Sequence, residues 1–199
     1  MTTSSLSCIL LAAGCSFRMN RTKALLQWKG LPLIAYQVKT IQNSGIKDVV
    51  VVLGFRAAEL RRELDGNSVK IVMNNDYSSG KCSSIKMGWH TMDKNSTGVL
   101  IAAVDQPLSP HILCQMDKLH KSDPESIIIP VYNGKRGHPI LLPSPLYSEL
   151  TLIAEETEGL RNIVKKHHNK VKLQETADPR ILLNFNTPSD YEDAYREDL

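Results

Sequence analysis

Residues 7–23 read SCILLAAGCSFRMNRTK, and the reading of this stretch decides the fold. The run SCILLAAG (7–14) is short, almost wholly apolar and ended by a glycine. That is the pattern of a central parallel strand buried on both faces. A polar loop follows and delivers Arg18 and Lys23. A glycine turn behind a buried strand exposes backbone amides that can cradle phosphate oxygens, and fixed cations beside it neutralise their charge. Taken alone, the loop reads equally as an ordinary strand-to-helix turn with solvated basic residues. Neither GxxxxGK[ST] nor GxGxxG is present.

Outward from this stretch, apolar runs alternate with helical patterns. Residues 32–44 open on a proline and space Leu33, Ala35, Val38 and Ile41 as a helix, with Gly45 as its stop. Strands are predicted at 48–54, 69–74 and 98–108, with helices at 57–64 and 83–92 between them. A helix over 109–121 starts with a serine cap and a proline at its first position. Residues 126–142 predict two strands around an Asn-Gly turn. Helical stretches near 144–154 and 159–168, short strands at 171–175 and 181–185, and a capped helix at 187–197 complete the chain. Strand–helix alternation predicts an α/β fold, a single domain over 1–199, with a mostly parallel sheet between helices. The hairpin makes that sheet mixed, as an antiparallel edge or insertion. Ligands of such sheets sit beyond the carboxyl ends of the strands.

The bulk properties exclude several classes. With 42% hydrophobic and 23% charged residues, the chain is an ordinary globular one. A net charge of +3 with scattered basic residues argues for neither nucleic acid nor membrane as partner. The cluster Lys165, Lys166, His167, His168 suits a helix end. Cys8, Cys15, Cys82 and Cys114 form no CxxC pair, which fits reduced thiols and a cytoplasmic location.

Three polar features stand at predicted strand ends. The first is the opening loop. The second is Asp105, directly after GVLIAAV; Ser109 is the better helix cap there, which leaves Asp105 for a divalent cation against phosphates. The third is GKCSSIKMG (80–88), whose serines either read a base or ribose or simply cap a helix.

Together these segments resemble the nucleotidyltransferases of the molybdenum-cofactor type. LLAAGCSFRMNRTK is similar to the signature LAAGxSxRMGxxK, and KGLPLI, GKCSSIK, VDQPL, KRGHPILL, EGLRNIV and FNTPSDY follow in family order across nearly the whole chain. The resemblance implies a Rossmann-like three-layer sandwich of the nucleotide-diphospho-sugar transferase kind. It also implies transfer of a nucleotide, CMP from CTP, onto a phosphorylated acceptor such as molybdopterin, with release of pyrophosphate. By the same analogy Ala12, Ala13, Gly14 and Arg18 bind the triphosphate and Lys23 reaches the phosphates; Ser83 and Ser84 face the base. Asp105 and the Asn186 position hold Mg2+, and Arg136, Gly137, His138, Pro139 and Arg161 line the acceptor pocket. Arg18, Lys23 and Asp105 are the catalytic set, and a molybdoenzyme is a further partner. An alternative is an accessory protein that binds a nucleotide or pterin and delivers it with little or no catalysis.

The sequence departs from the family pattern at three places. Asn20 replaces a glycine, NFNTPSD stands where the pattern has DIDTPED, and ETEGLR stands for GDxGxR, with Thr157 at the aspartate position. Asn184 and Asn186 offer carbonyl oxygens without charge, which implies a weakened or rearranged metal site. Attack by an already ionised phosphate needs no covalent nucleophile, and Cys15 is not read as one. His138 by spacing alone is a hydrogen-bonded strand-edge residue. Trp28 and Trp89 are read as packing residues.

Overall fold

A computed structural model describes residues 5–15, 19 and 21–197. The opening run forms β1 (Leu6–Ala12), buried at every position. It is the middle of the sheet, paired in parallel with β4 (Asp48–Leu53) on one side and β6 (Gly98–Ala103) on the other. Two short strands, β2 (Gln27–Trp28) and β3 (Leu31–Pro32), form a separate hairpin ahead of α1 (Leu33–Asn43). Beyond β4 lies β5 (Lys70–Met73), after the short α2 (Ala57–Arg62). Then come α3 (Lys81–Thr91) before β6 and α4 (Pro110–Ser122) after it.

Alternate residues of β1 serve opposite layers. Leu6, Cys8, Leu10 and Ala12 pack with α1, α2 and α4, whereas Ile9, Leu11 and Ala13 pack with α3. That two-sided burial is why the run is continuously apolar rather than alternating. α3 lies so close to the sheet that a Cβ on Gly88 would meet Ile9 and stand 3.2 Å from Val52.

The predicted hairpin is an insertion. β7 (Ile127–Tyr132) turns through Asn133 and Gly134, both at positive φ (49° and 75°) as a type I′ turn requires. The return strand is broken: β8 (Lys135–Arg136) pairs with β7, and after Gly137–Pro139 the chain resumes as β9 (Ile140–Pro143). β9 runs antiparallel between β7 and β6. β10 (Val171–Glu175) closes that side in parallel with β7, giving the order β10-β7-β9-β6-β1-β4-β5. The α3 layer is completed by α5 (Glu149–Leu152) and α6 (Leu160–Lys166), and the opposite layer by α7 (Pro188–Glu197). The fold is therefore a mixed, mostly parallel sheet between two helical layers.

Three predicted elements differ. Residues 98–108 are strand only to Ala103, and the rest is loop. Residues 181–185 are not a strand: Pro179 starts a 3-10 turn over Pro179–Leu182, with the Asp178 carboxylate accepting the Arg180 N–H at 3.0 Å. The segment then crosses the strand ends, where the N–H of Phe185 donates to Asp105 O at 2.9 Å. Ser109 occupies the N-cap position of α4, but its hydroxyl makes no capping bond. The cluster at 165–168 is structural as read: Lys165 pairs with Glu158, and Lys166 and His167 with Glu149.

Candidate active site

The carboxyl ends of β1 and β6 open into a cleft of about 350 Å³. Ala12, Ala13 and Gly14 form one wall, Asp105 the opposite one, and Lys23, Ser84, Asn184 and Asn186 also line it. Lys23 is at its centre: its Nζ donates to Asp105 Oδ2 at 2.7 Å and to Asn186 Oδ1 at 3.2 Å. Residues 82 and 163 positions apart from Lys23 thus converge on one ammonium group.

Packing explains this placement. Met19 and Thr22 are buried and anchor the basic loop, Thr22 Oγ1 accepting from Arg56 Nη1 at 3.0 Å. The turn beside it is tight: the N–H of Phe55 donates to Ala13 O at 3.0 Å, and a Cβ on Gly54 would stand 2.8 Å from that oxygen. The loop on either side of Asp105 is held by Gln37, a fully buried amide on α1. Its Nε2 donates to Ala103 O, Val104 O and Gln106 O at 3.3, 3.1 and 2.8 Å, and its Oε1 accepts the Leu108 N–H at 3.0 Å. Every backbone group in that loop needs such a partner once it is buried. The sequence reading missed Gln37. Its signal was there, a glutamine four residues from both Leu33 and Ile41 on the apolar stripe of α1.

Asn184 and Asn186 are fixed by the residue between them. Phe185 is fully buried, its ring centroid 5.1 Å from Trp28 and 5.5 Å from Tyr191. Trp28 is thus a packing residue, as expected. Asp190 then caps α7 by accepting the N–H groups of Asn186 (3.0 Å) and Thr187 (2.8 Å), while Thr187 Oγ1 accepts the Asp190 N–H at 3.2 Å. Asn184 Oδ1 is buried in the cleft with no hydrogen-bond partner among the described residues. Such an orphaned oxygen is costly unless something occupies the site. One carboxylate and two amide oxygens form a donor set that suits a hard divalent cation completed by phosphate oxygens. No group of three or more His, Cys, Asp or Glu capable of holding a metal occurs among the described residues, so a cage made wholly by such side chains does not fit.

The other predicted residues are more scattered. Ser84 is buried in the cleft wall, whereas the Ser83 hydroxyl donates to Gly80 O at 2.8 Å and does not line the cleft. Both accept from Asn74 Nδ2 at 2.9 Å. Arg136 is exposed on β8, away from the cleft, and Arg161 lines a neighbouring cleft of about 500 Å³. Gly137 donates its N–H to Pro130 O at 2.8 Å, and Pro139 is buried. Arg18 lies outside the described residues, as does Asn20. A larger hollow, about 740 Å³, lies elsewhere, beside His111 and Arg180; Arg180 is already paired with Asp178 at 2.7 Å.

His138 packs between the Asp105 loop and Ile181 and is engaged with the Leu183 backbone. Burial, opposed by Asp105, pulls its pKa from 6.5 to about 4, so the folded ring is neutral near pH 7. The unfolded chain binds a proton here below about pH 6.5, and the folded one only near 4. Stability from this group is therefore present above pH 6.5 and lost as pH falls toward 4, by about 3 kcal/mol over the window. Buried His120, also shifted down by dehydration, acts in the same direction. Urea unfolding between pH 4 and 7 is expected to show this slope, reduced in His138→Gln; equal slopes would refute the assignment.

With this geometry in place, the relatives are informative. Residues 8–171 match the MobA-like NTP transferase domain. Molybdenum cofactor cytidylyltransferase of Escherichia coli K12 is 26% identical over 190 residues, covering 94% of each chain. Nicotine blue oxidoreductase of Paenarthrobacter nicotinovorans is 30% identical over 179 residues, covering 85% of this chain and 86% of that one. Among solved structures, a nucleotidyl transferase from Methanothermobacter thermautotroptrophicus (Mth528) superposes with a TM-score of 0.82 at 24% identity, covering 96% of each chain. No helix among the described residues is long and apolar enough to cross a membrane.

Proposed function

The chain belongs to the family of MobA-like NTP transferase domains, and from that premise we propose that it moves CMP from CTP onto a phosphorylated pterin acceptor of the molybdopterin kind. The observation that carries this reading is the convergence of Lys23, Asp105 and Asn186 at the glycine turn after β1. In the proposed reaction an acceptor phosphate oxygen attacks the α-phosphorus of the nucleotide, the bond to the β-phosphate oxygen breaks, and pyrophosphate leaves. Both reactants are anions, so charge neutralisation and alignment are the main demands.

Ala13 and Gly14 line the cleft, where backbone amides of such a turn would suit phosphate oxygens. Lys23 is the cation poised for the charge that grows on the leaving pyrophosphate. Magnesium, held by Asp105 with the amide oxygens of Asn184 and Asn186, would supply further neutralisation across the triphosphate. Ser84 stands on the base side, and Arg161 and His138 on the acceptor side. Incubation with each NTP, magnesium and molybdopterin is expected to release pyrophosphate with CTP. Binding of CTP without release under any acceptor would favour delivery over transfer.

The 30% match to nicotine blue oxidoreductase favours a second reading, in which the same cleft holds the phosphates of a nicotinamide nucleotide for reduction of a heterocycle. Tight NADPH binding with oxidation, and no CTP binding, would select it.

The Asn186 position separates a strong from a weak metal site. Asn186→Asp adds a carboxylate beside Asp105, and the magnesium titration of CTP binding is expected to shift several-fold lower. An unchanged titration would remove Asn186 from the ion's surroundings.

A further inference from the structure

Between the nucleotide cleft and the neighbouring 500 Å³ cleft stands one residue that lines both, Lys81. It is the first residue of α3, set by Gly80 at a φ of 116°. Among the described residues its ammonium makes no hydrogen bond or ion pair. Its nearest opposite charges are Asp105, on the nucleotide side, and Glu155, on the other. Arg161 lines the second cleft, acts on Lys81 as a like charge, and likewise has no side-chain partner among the described residues.

The carboxylates on this side, Glu155 near Lys81 and Glu158 near Arg161, balance that positive charge only in part, because each has another partner. Glu158 is paired with Lys165 at 2.5 Å. One oxygen of Glu155 accepts the Cys82 N–H at 2.6 Å. The Cys82 thiol is pushed up to about 11 by burial and the Glu155 carboxylate, so it adds no anion. Lys81 itself is exposed at the boundary of the two clefts, open to an incoming anion. Two unpaired cations facing one cleft repel each other until an anion lies between them. Ile85 and Leu160 supply apolar lining for the body of a ligand.

We propose that Lys81, with Arg161, receives the phosphate of the acceptor, a phosphomonoester whose body lies in the second cleft and whose phosphate points along Lys81 into the nucleotide cleft. This deepens the transferase reading and rests on it for the identity of the reaction. Lys81 then holds the attacking group at the boundary between donor and acceptor, and Glu155 is the local counter-charge that the phosphate replaces.

Amide NMR of the full chain tests this without turnover, with phenyl phosphate as the probe. Titration is expected to shift the amides of Cys82, Gly159 and Arg161. Lys81→Met is expected to weaken the apparent Kd at least tenfold, Lys81→Arg to keep it within about threefold, and Lys39→Met, exposed on α1 and in neither cleft, to leave it unchanged. Lys81→Gln replaces Lys81→Met if the latter perturbs the amide spectrum. Shifts absent in the wild type, retained in Lys81→Met, or weakened as much by Lys39→Met as by Lys81→Met would overturn the proposal. CTP binding is measured on the same samples. Its absence alongside the expected phenyl phosphate result would sink the transferase reading while leaving the phosphate site standing.

Discussion

Lys23→Ala is expected to slow nucleotidyl transfer by roughly two to three orders of magnitude, about 3–4 kcal/mol of transition-state stabilisation, with the fold intact. Lys23 is one of the most enclosed charges of the cleft, its side chain 12% exposed, and its Nζ joins Asp105 to Asn186. Removing it deletes the cation poised for the leaving pyrophosphate. The fold survives because Asp105 is 22% exposed and can recover water, and because Phe185 holds its carbonyl while Gln37 holds the loop on either side. Lys23→Arg is not a substitute, since a planar guanidinium cannot occupy the position of a compact ammonium between two oxygens. The check is single-turnover release of pyrophosphate from CTP at saturating nucleotide. A wild-type rate would remove Lys23 from the phosphate site.

Asp105→Asn is expected to have an effect of the same order, and to abolish the dependence of rate on divalent cation. The substitution preserves shape and leaves an acceptor for Lys23, so what it tests is charge. Asp105 contributes the carboxylate of the proposed metal donor set; the amides of Asn184 and Asn186 supply oxygens without charge. A magnesium or manganese titration of the residual rate is the measurement. Full activity in the variant, with metal dependence unchanged, would place the ion elsewhere.

Legibility from sequence followed the range of the forces involved. β1 was readable because a strand covered on both faces must be apolar at every position, and the Asn133-Gly134 turn because its backbone demands positive φ at both residues. The residues around Asp105 were readable only in part. The apolar run ILLNF looks like a strand, but its Phe185 is spent in the aromatic cluster with Trp28 and Tyr191, contacts more than 150 residues apart in one case and six in the other. No local pattern reports such a pairing. The insertion of β9 between β7 and β6 is likewise a choice among strand partners that alternation alone does not make. Gln37 shows the opposite case, a polar residue on an apolar stripe whose meaning appears once its four backbone partners are seen. Ser83 and Ser84 are adjacent in sequence, yet helix geometry turns one into the cleft and the other onto the Gly80 carbonyl.

The central claim is that the turn after β1 grips a triphosphate against Lys23 and Asp105. A structure of the protein with CTP and magnesium tests it most directly. Triphosphate oxygens are expected within hydrogen-bond distance of the Gly14 amide and Lys23 Nζ, with the ion on Asp105. A nucleotide bound with its phosphates away from Lys23, or an ion that leaves Asp105 uncoordinated, would contradict it.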